Sequence, residues 1–152
     1  WIEHLCGCAA TGKEPFESLF VCNDKKYLHA QSVPTDQAKM MIQELLQIRK
    51  SGLQIPLPFF PNSSFAYFEK INDAGLKNDS TAGEIEQAKK NALVEAKKAW
   101  AGASFKGGEV PGDGKDFSVQ TCFGKSPFGD PQFANLSELF FRNFDQFVEE
   151  RS

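Results

Sequence analysis

The sequence predicts a mainly helical α+β domain. Apolar residues recur at helical spacing in five stretches, a pair of strand-like runs flanks the polar tetrapeptide NDKK, and no run of alternating residues is long enough to build a large sheet. At 152 residues the chain is the size of one ordinary domain. Its 41% hydrophobic and 24% charged residues are those of a soluble globular protein, and no segment approaches the roughly 18 uninterrupted apolar residues of a membrane span.

The elements follow in chain order. In WIEHLCGCAA, residues Trp1, Leu5, Cys8 and Ala9 share one helical face. In SLFVCNDKKYLHAQSV the spacing predicts a hairpin of residues 18–23 and 26–32, with NDKK at the turn. Thr35 is placed to cap a helix whose inner face is Ala38, Met41, Ile42, Leu45 and Leu46, with Gly52 at its stop.

GLQIPLPFFP then loses three backbone donors at Pro56, Pro58 and Pro61, so it predicts a rigid extended strap whose apolar side chains are buried by neighbours. Asn62 or Ser63 is placed to cap the next helix, which carries Phe65, Phe68 and Ile71 and stops near Gly75. Thr81 and Glu84 have capping-box spacing. The helix behind them has an inner stripe of Ile85, Ala88, Ala92, Ala96, Ala99 and Trp100, with Lys89, Lys90, Lys97 and Lys98 mainly outside.

In GASFKGGEVPGDGKDF the glycines and Pro111 predict about a dozen irregular residues, and FSVQTCF reads as a short strand. The last helix opens at Asn135 with Glu138 in capping-box spacing and presents Leu136, Leu139, Phe140, Phe144, Phe147 and Val148.

Candidate chemistry is sparse. The net charge of -3 gives no global drive toward phosphate. Cys6, Cys8, Cys22 and Cys122 lack C-x-x-C spacing, which predicts reduced, mostly buried thiols of a cytoplasmic protein and neither a disulfide framework nor a zinc site. His4 and His29 have no ligand-spaced partners, and His4 is expected on a partly buried helix face.

Asp24, Lys25 and Lys26 have the local form of the PD-(D/E)xK nuclease site, in which carboxylates hold Mg²⁺ and the lysine stabilises charge. A turn explains the same residues more simply. The only acids ahead of them, Glu3, Glu14 and Glu17, are not in strand-like context. Glu109, Asp113 and Asp116 match neither a phosphate loop nor a calcium loop and are expected in a solvated loop. The lysines of 89–98 have Glu84, Glu86 and Glu95 mixed in with them, which predicts a solvated helix face rather than a DNA footprint.

The fifteen phenylalanines exceed what these helical stripes can bury, so Phe59 and Phe60 are expected to lie partly exposed as a possible interface. Beginning at Trp1 without an initiator Met, residues 1–152 are expected to be one domain-sized fragment of a longer polypeptide.

The succession of WIEHLCGCAA, a strand pair, LLQIRKSGLQIPLPFFPNSSFAYFEK, AKKAWAG with a glycine-bearing loop, and a Phe/Leu-rich helix resembles the C-terminal end of the RecC family. These are the gamma subunits of exodeoxyribonuclease V, the RecBCD helicase-nuclease. The resemblance implies the C-terminal part of a degenerate PD-(D/E)xK nuclease-like domain that has lost its catalytic residues and serves as scaffold.

In active nucleases of that type the metal-binding strands precede a helix with a Q-x-x-x-Y motif. WIEHL looks like its counterpart, with Trp1 and Leu5 where Gln and Tyr would stand. Asp24-Lys25-Lys26 follows that helix, on the wrong side for a site. The resemblance therefore implies no catalytic residue, metal ligand or cofactor in this chain, with ATP and Mg²⁺ held by partner subunits.

It further implies RecB-like and RecD-like partners, DNA in the assembled complex, work in double-strand break repair and recombination, and no membrane. It carries no DNA or subunit contact onto a numbered residue. The expectation is a noncatalytic scaffold. Its rivals are an active Mg²⁺ nuclease built on Asp24 and Lys26, and a helical interaction module unrelated to DNA.

Overall fold

The computed structural model describes residues 1–12, 14–21, 27–77, 79–105, 108–124 and 127–151, and the backbone alone of residues 105, 108, 109, 150 and 151. Six α-helices and two small antiparallel sheets form among them, so the mainly helical α+β expectation holds. The chain divides into two compact units, one of residues 1–55 with 142–152 and one of residues 56–141.

The first unit opens with α1 (Ile2–Thr11), followed by β1 (Ser18–Val21), β2 (Tyr27–Ala30) and α2 (Thr35–Gly52), and closes with β5 (Val148–Arg151). Its sheet has the order β1-β2-β5 and is antiparallel throughout. Ser18 stands opposite Ala30, and Ala30 in turn opposite Val148. The predicted hairpin is present, while its NDKK turn lies outside the described residues.

Val148 was expected on a helix and is instead in a strand. The helix before it ends at Asp145, and the Gln31 amide donates to the Phe147 carbonyl at 2.8 Å, which docks the chain end on β2. Leu5, Cys8, Val33, Ala38 and Met41 form the core, with Trp1, Phe16, Ile42 and Leu45 packed on it. Leu46, expected inside, is exposed.

Thr35 does not cap α2. Its hydroxyl reaches the Cys8 and Gly12 carbonyls at the end of α1, and Pro34 takes the cap position. A free carbonyl at one helix end has thus claimed the side chain expected at the start of another.

The second unit contains α3 (Pro61–Asp73), α4 (Ala82–Ala101), β3 (Gly102–Phe105), β4 (Gly108–Pro111), a single 3₁₀ turn (Asp113–Lys115), α5 (Phe117–Phe123) and α6 (Pro131–Asp145), the last of these up to Phe141. On α3, Ser64, Tyr67, Phe68 and Ile71 follow the i, i+3, i+4, i+7 rule and face inward, whereas Phe65 is 47% exposed. On α4 the alanine stripe is as expected, with Ala88, Ala92 and Ala96 buried. The Thr81–Glu84 capping box is complete, and its bonds hold the Glu84 carboxyl below the usual range.

Three expected element assignments fail in this unit, each at a turn or cap that outweighs composition. Residues 102–105 and 108–111 pair as antiparallel strands and are not irregular, because Gly102 at φ 80° turns the chain out of α4 directly into a strand paired with β4. Residues 117–123 are helical and not a strand. The Asp116 carboxylate accepts the Ser118 and Val119 amides, satisfying the first turn and overriding the β preference of Val, Thr and Phe. Finally, α6 begins at Pro131 and not at Asn135, with Asp130 accepting from the Gln132 amide at 2.8 Å.

Gly112 and Gly114 press against the end of α4. A Cβ on Gly112 would lie 2.2 Å from the Trp100 carbonyl oxygen, and one on Gly114 2.3 Å from the Trp100 indole nitrogen. Gly114→Ala is therefore expected to destabilise the second unit by about 1–3 kcal/mol through overpacking, measured by denaturant unfolding. An unchanged midpoint would mean that the Trp100 ring yields freely.

Candidate functional site

Phe59 and Phe60 are neighbours on the extended strap and point into different surroundings, as successive residues of an extended chain do. The Phe59 amide donates to the Leu57 carbonyl at 2.8 Å, closing a tight turn around Pro58, and Pro61 opens α3 in the position where its missing N–H costs nothing. Phe60 is 2% exposed, so its expected partial exposure is not found. Its ring lies 5.0 Å from Trp100, 5.0 Å from Phe123 and 6.3 Å from Phe133, within a core that also holds Tyr67, Ala92 and Ala96.

Phe59 remains partly exposed. It meets Phe140 at 4.9 Å and Phe141 at 5.9 Å, and Phe141 in turn touches Phe65 at 5.3 Å and Phe68 at 5.8 Å. Five aromatic rings so form one apolar surface, in which Phe65 is the most open member.

The entry into α3 is held by a residue far away in sequence. Asp113 Oδ2 accepts from the Ser63 amide at 2.7 Å and from the Ser63 hydroxyl at 2.6 Å, while Oδ1 accepts from the Asn62 side chain at 3.0 Å. The Phe60 amide donates to Ser64 Oγ at 3.1 Å. Neither Asn62 nor Ser63 is the cap. Both are donors to a carboxylate seated at the positive end of the helix. The only sequence signal for this was a helix start rich in donors; the acceptor lay in a stretch read as solvated.

His4 is 1% exposed and hydrogen-bonded at both ring nitrogens. Nε2 is 3.0 Å from the Gln31 carbonyl, which can only accept, so Nε2 carries the proton and Nδ1 accepts from the Ser18 hydroxyl at 2.9 Å. The ring stacks on Trp1 at 5.4 Å and tilts against Phe16 at 5.7 Å. Gly7 leaves room for the Phe16 ring, since a Cβ there would stand 2.3 Å from it. Cys8 Sγ lies 3.5 Å from His4 Nε2 and accepts from the Val33 amide at 3.5 Å. Burial holds the His4 imidazole below its usual value against the opposing pull of the Gln31 carbonyl. In the second unit, burial and the nearby Glu138 push the Tyr67 phenol up to about 12.

Among the described residues the remaining candidates are not gathered into one place. Asp24, Lys25, Lys26 and Cys22 lie outside the described residues, as does the side chain of Glu109. Glu17 pairs with His29 at 3.0 Å, and His29 Nδ1 is buried without a partner. Among the described residues no three His, Cys, Asp or Glu side chains are grouped to hold a metal ion.

Lys89, Lys90, Lys97 and Lys98 are exposed as expected, and Lys90 and Lys98 pair with Glu86 and Glu95 at 2.8 Å. Cys8 is buried, but Cys6 and Cys122 are exposed, because both lie off the inner faces of their helices. A recess of about 520 Å³ beside the α3–α4 turn is lined by Lys77, Asp79, Ser80, Glu84, Gln87 and Asn91, and Glu84 is already committed to its capping box. Among the described residues no helix is long and apolar enough to cross a membrane.

The family model of the RecC C-terminal domain matches residues 1–72, a span that runs from α1 through the hairpin, α2 and the strap into α3. That span is similar to a RecC C-terminal region. No curated protein matches the chain. The RecC family points to a subunit of exodeoxyribonuclease V, the RecBCD complex. Within the RecC match lie both the His4 centre and the strap with Phe59 and Phe60, whereas Asp113 and the rings of α6 lie beyond it.

The two strap phenylalanines are expected to differ in energetic weight. Phe60→Ala should destabilise the second unit by about 3–5 kcal/mol and Phe59→Ala by roughly 1–2 kcal/mol, read from urea unfolding. Equal losses would place Phe59 in the core after all. Asp113→Ala should cost about 2 kcal/mol in the same assay, and a neutral result would show that water replaces the carboxylate at α3.

Proposed function

We propose that this chain is a noncatalytic scaffold and DNA-handling part of the gamma subunit of an exodeoxyribonuclease V complex, acting in double-strand break repair and homologous recombination in the cytoplasm. The observation that carries this reading is the RecC C-terminal match over residues 1–72. Residues 1–152 then form the C-terminal, degenerate PD-(D/E)xK-like part of a longer chain. ATP hydrolysis and Mg²⁺-dependent cleavage belong to RecB-like and RecD-like partners.

Two features support the scaffold role. At the positions corresponding to Gln and Tyr of the active-nuclease helix, Trp1 is stacked on His4 and Leu5 is wholly buried, so both are committed to packing. The aromatic surface around Phe59, with Phe65 and Phe140, has the composition of an interface core: large rings and no charge. Phe59 is the ring proposed to meet a neighbouring subunit, and Phe60 supports it from within the core.

The test is reconstitution of the full-length subunit with RecB-like and RecD-like subunits from the same source, together with a nuclease assay in Mg²⁺ on the isolated chain. Stable assembly without intrinsic cleavage is expected, with Phe59→Ser weakening capture tenfold or more while the chain stays folded. Cleavage abolished by Asp24→Ala would overturn the scaffold reading in favour of an active nuclease. Failure of the wild-type subunit to assemble would favour an interaction module unrelated to DNA.

A further inference from the structure

The 3₁₀ turn between β4 and α5 carries a dipeptide whose two halves are fixed by separate contacts. Asp113 is the chain's one aspartate followed by a glycine, and none of its asparagines is. The glycine is required by the end of α4, since a Cβ on Gly114 would stand 2.3 Å from the Trp100 indole nitrogen. The aspartate is required by the start of α3. Its Oδ2 accepts from the Ser63 amide and hydroxyl at 2.7 and 2.6 Å, and its Oδ1 from the Asn62 side chain and amide at 3.0 and 3.4 Å. Packing and capping have thus placed side by side an aspartate and a glycine, whose nitrogen no Cβ shields from the neighbouring carboxyl carbon.

We propose that Asp113–Gly114 is a site of spontaneous covalent modification, isomerisation of the aspartyl link to isoaspartate, which the docking of α3 on Asp113 holds in check. In the first step the Gly114 nitrogen bonds to Asp113 Cγ, and one carboxyl oxygen leaves as water with the amide hydrogen and a proton from solution, closing a five-membered imide. In the second step water adds to the imide. Opening at Cγ restores aspartate, whereas opening at the main-chain carbonyl leaves the chain running through Cβ and Cγ with a free carboxylate on Cα. The water lost is regained, so the product is an isomer and neither oxidant nor reductant takes part.

Two features of the folded chain oppose the first step. Ring closure turns Asp113 Cβ into eclipse with the Gly114 nitrogen, a backbone setting outside the helical region that the 3₁₀ turn imposes. That turn is tied by the Lys115 and Asp116 amides, which donate to the Gly112 and Asp113 carbonyls at 3.0 and 3.2 Å. Both carboxylate oxygens are also engaged by residues 62 and 63, so the group must leave α3 before Cγ can meet the nitrogen. The product cannot return to the same seat. Its carboxylate has moved by one carbon away from the α3 donors, and the main chain has gained an atom beside Trp100, where there is no room even for a Cβ on Gly114.

Peptide mapping by mass spectrometry of the intact chain, aged at neutral pH in buffer and in urea, tests this, with isoaspartate at position 113 as the readout. It is expected to accumulate about tenfold or more faster in urea, where the turn and α3 are open. Ser63→Ala, folded as judged by circular dichroism, removes one donor from the carboxylate and should raise the ratio of the buffer rate to the urea rate by about three- to tenfold. Equal rates in buffer and urea, absence of isoaspartate at 113 in urea, or a ratio unmoved by Ser63→Ala overturns the proposal. Should Ser63→Ala not fold, Asn62→Ala, which removes a donor from the other oxygen of the same carboxylate, decides by the same ratio.

Discussion

Keeping the Phe60 ring out of water is the constraint from which most of the second unit follows. The ring is met by residues of α4, α5 and α6, so three helices from distant parts of the chain are placed by one side chain. It arrives from outside any helix, on a strap stiffened by Pro56, Pro58 and Pro61, and a stiff approach reduces the entropy lost on burying it. The alanine stripe of α4 belongs to the same arrangement: Ala92 and Ala96 are small enough for Phe60, Tyr67 and Phe133 to share one core.

Polar side chains then secure what the apolar core leaves loose, and they do so across long sequence distances. Asp113 meets the first turn of α3, and Thr35 meets the last turn of α1. His4 bonds the hairpin from α1. In each case a helix or turn offers donors or acceptors that its own backbone cannot satisfy, and the partner is a single side chain brought in by the fold. Replacing such a partner leaves a group without its bond, which costs more than the bond itself contributed.

The RecC relationship and the two aromatic residues of the strap bear on function at different levels. The family match covers residues 1–72, a span that holds both strap phenylalanines. The geometry separates Phe60, which holds the unit together, from Phe59, which stays available at the surface with Phe65 and Phe140. Adjacent in sequence and alike in chemistry, the two could be told apart only by which side of the strap each occupies.

What the sequence by itself determined was local: the helices with clear periodicity, the Thr81–Glu84 capping box, the β1–β2 strands, the exposed lysines of α4 and the extended course of the strap from Pro56, although Leu53 and Ile55, expected to be buried by neighbours, are exposed. Their signals lie within a few residues of one another, where helical geometry alone brings side chains together. Tertiary structure decided the rest. It drew Val148–Arg151 onto β2 as a third strand, whereas the Asp116 cap of α5 and the Gly102 turn out of α4 are local features that the β preference of FSVQTCF and the glycine-rich composition masked. Phe60 went inside and Phe59 did not. The burial of Phe60 and the pairing of Val148–Arg151 depend on partners tens of residues away, and local periodicity holds no record of which distant backbone group or ring the fold will place beside a given side chain.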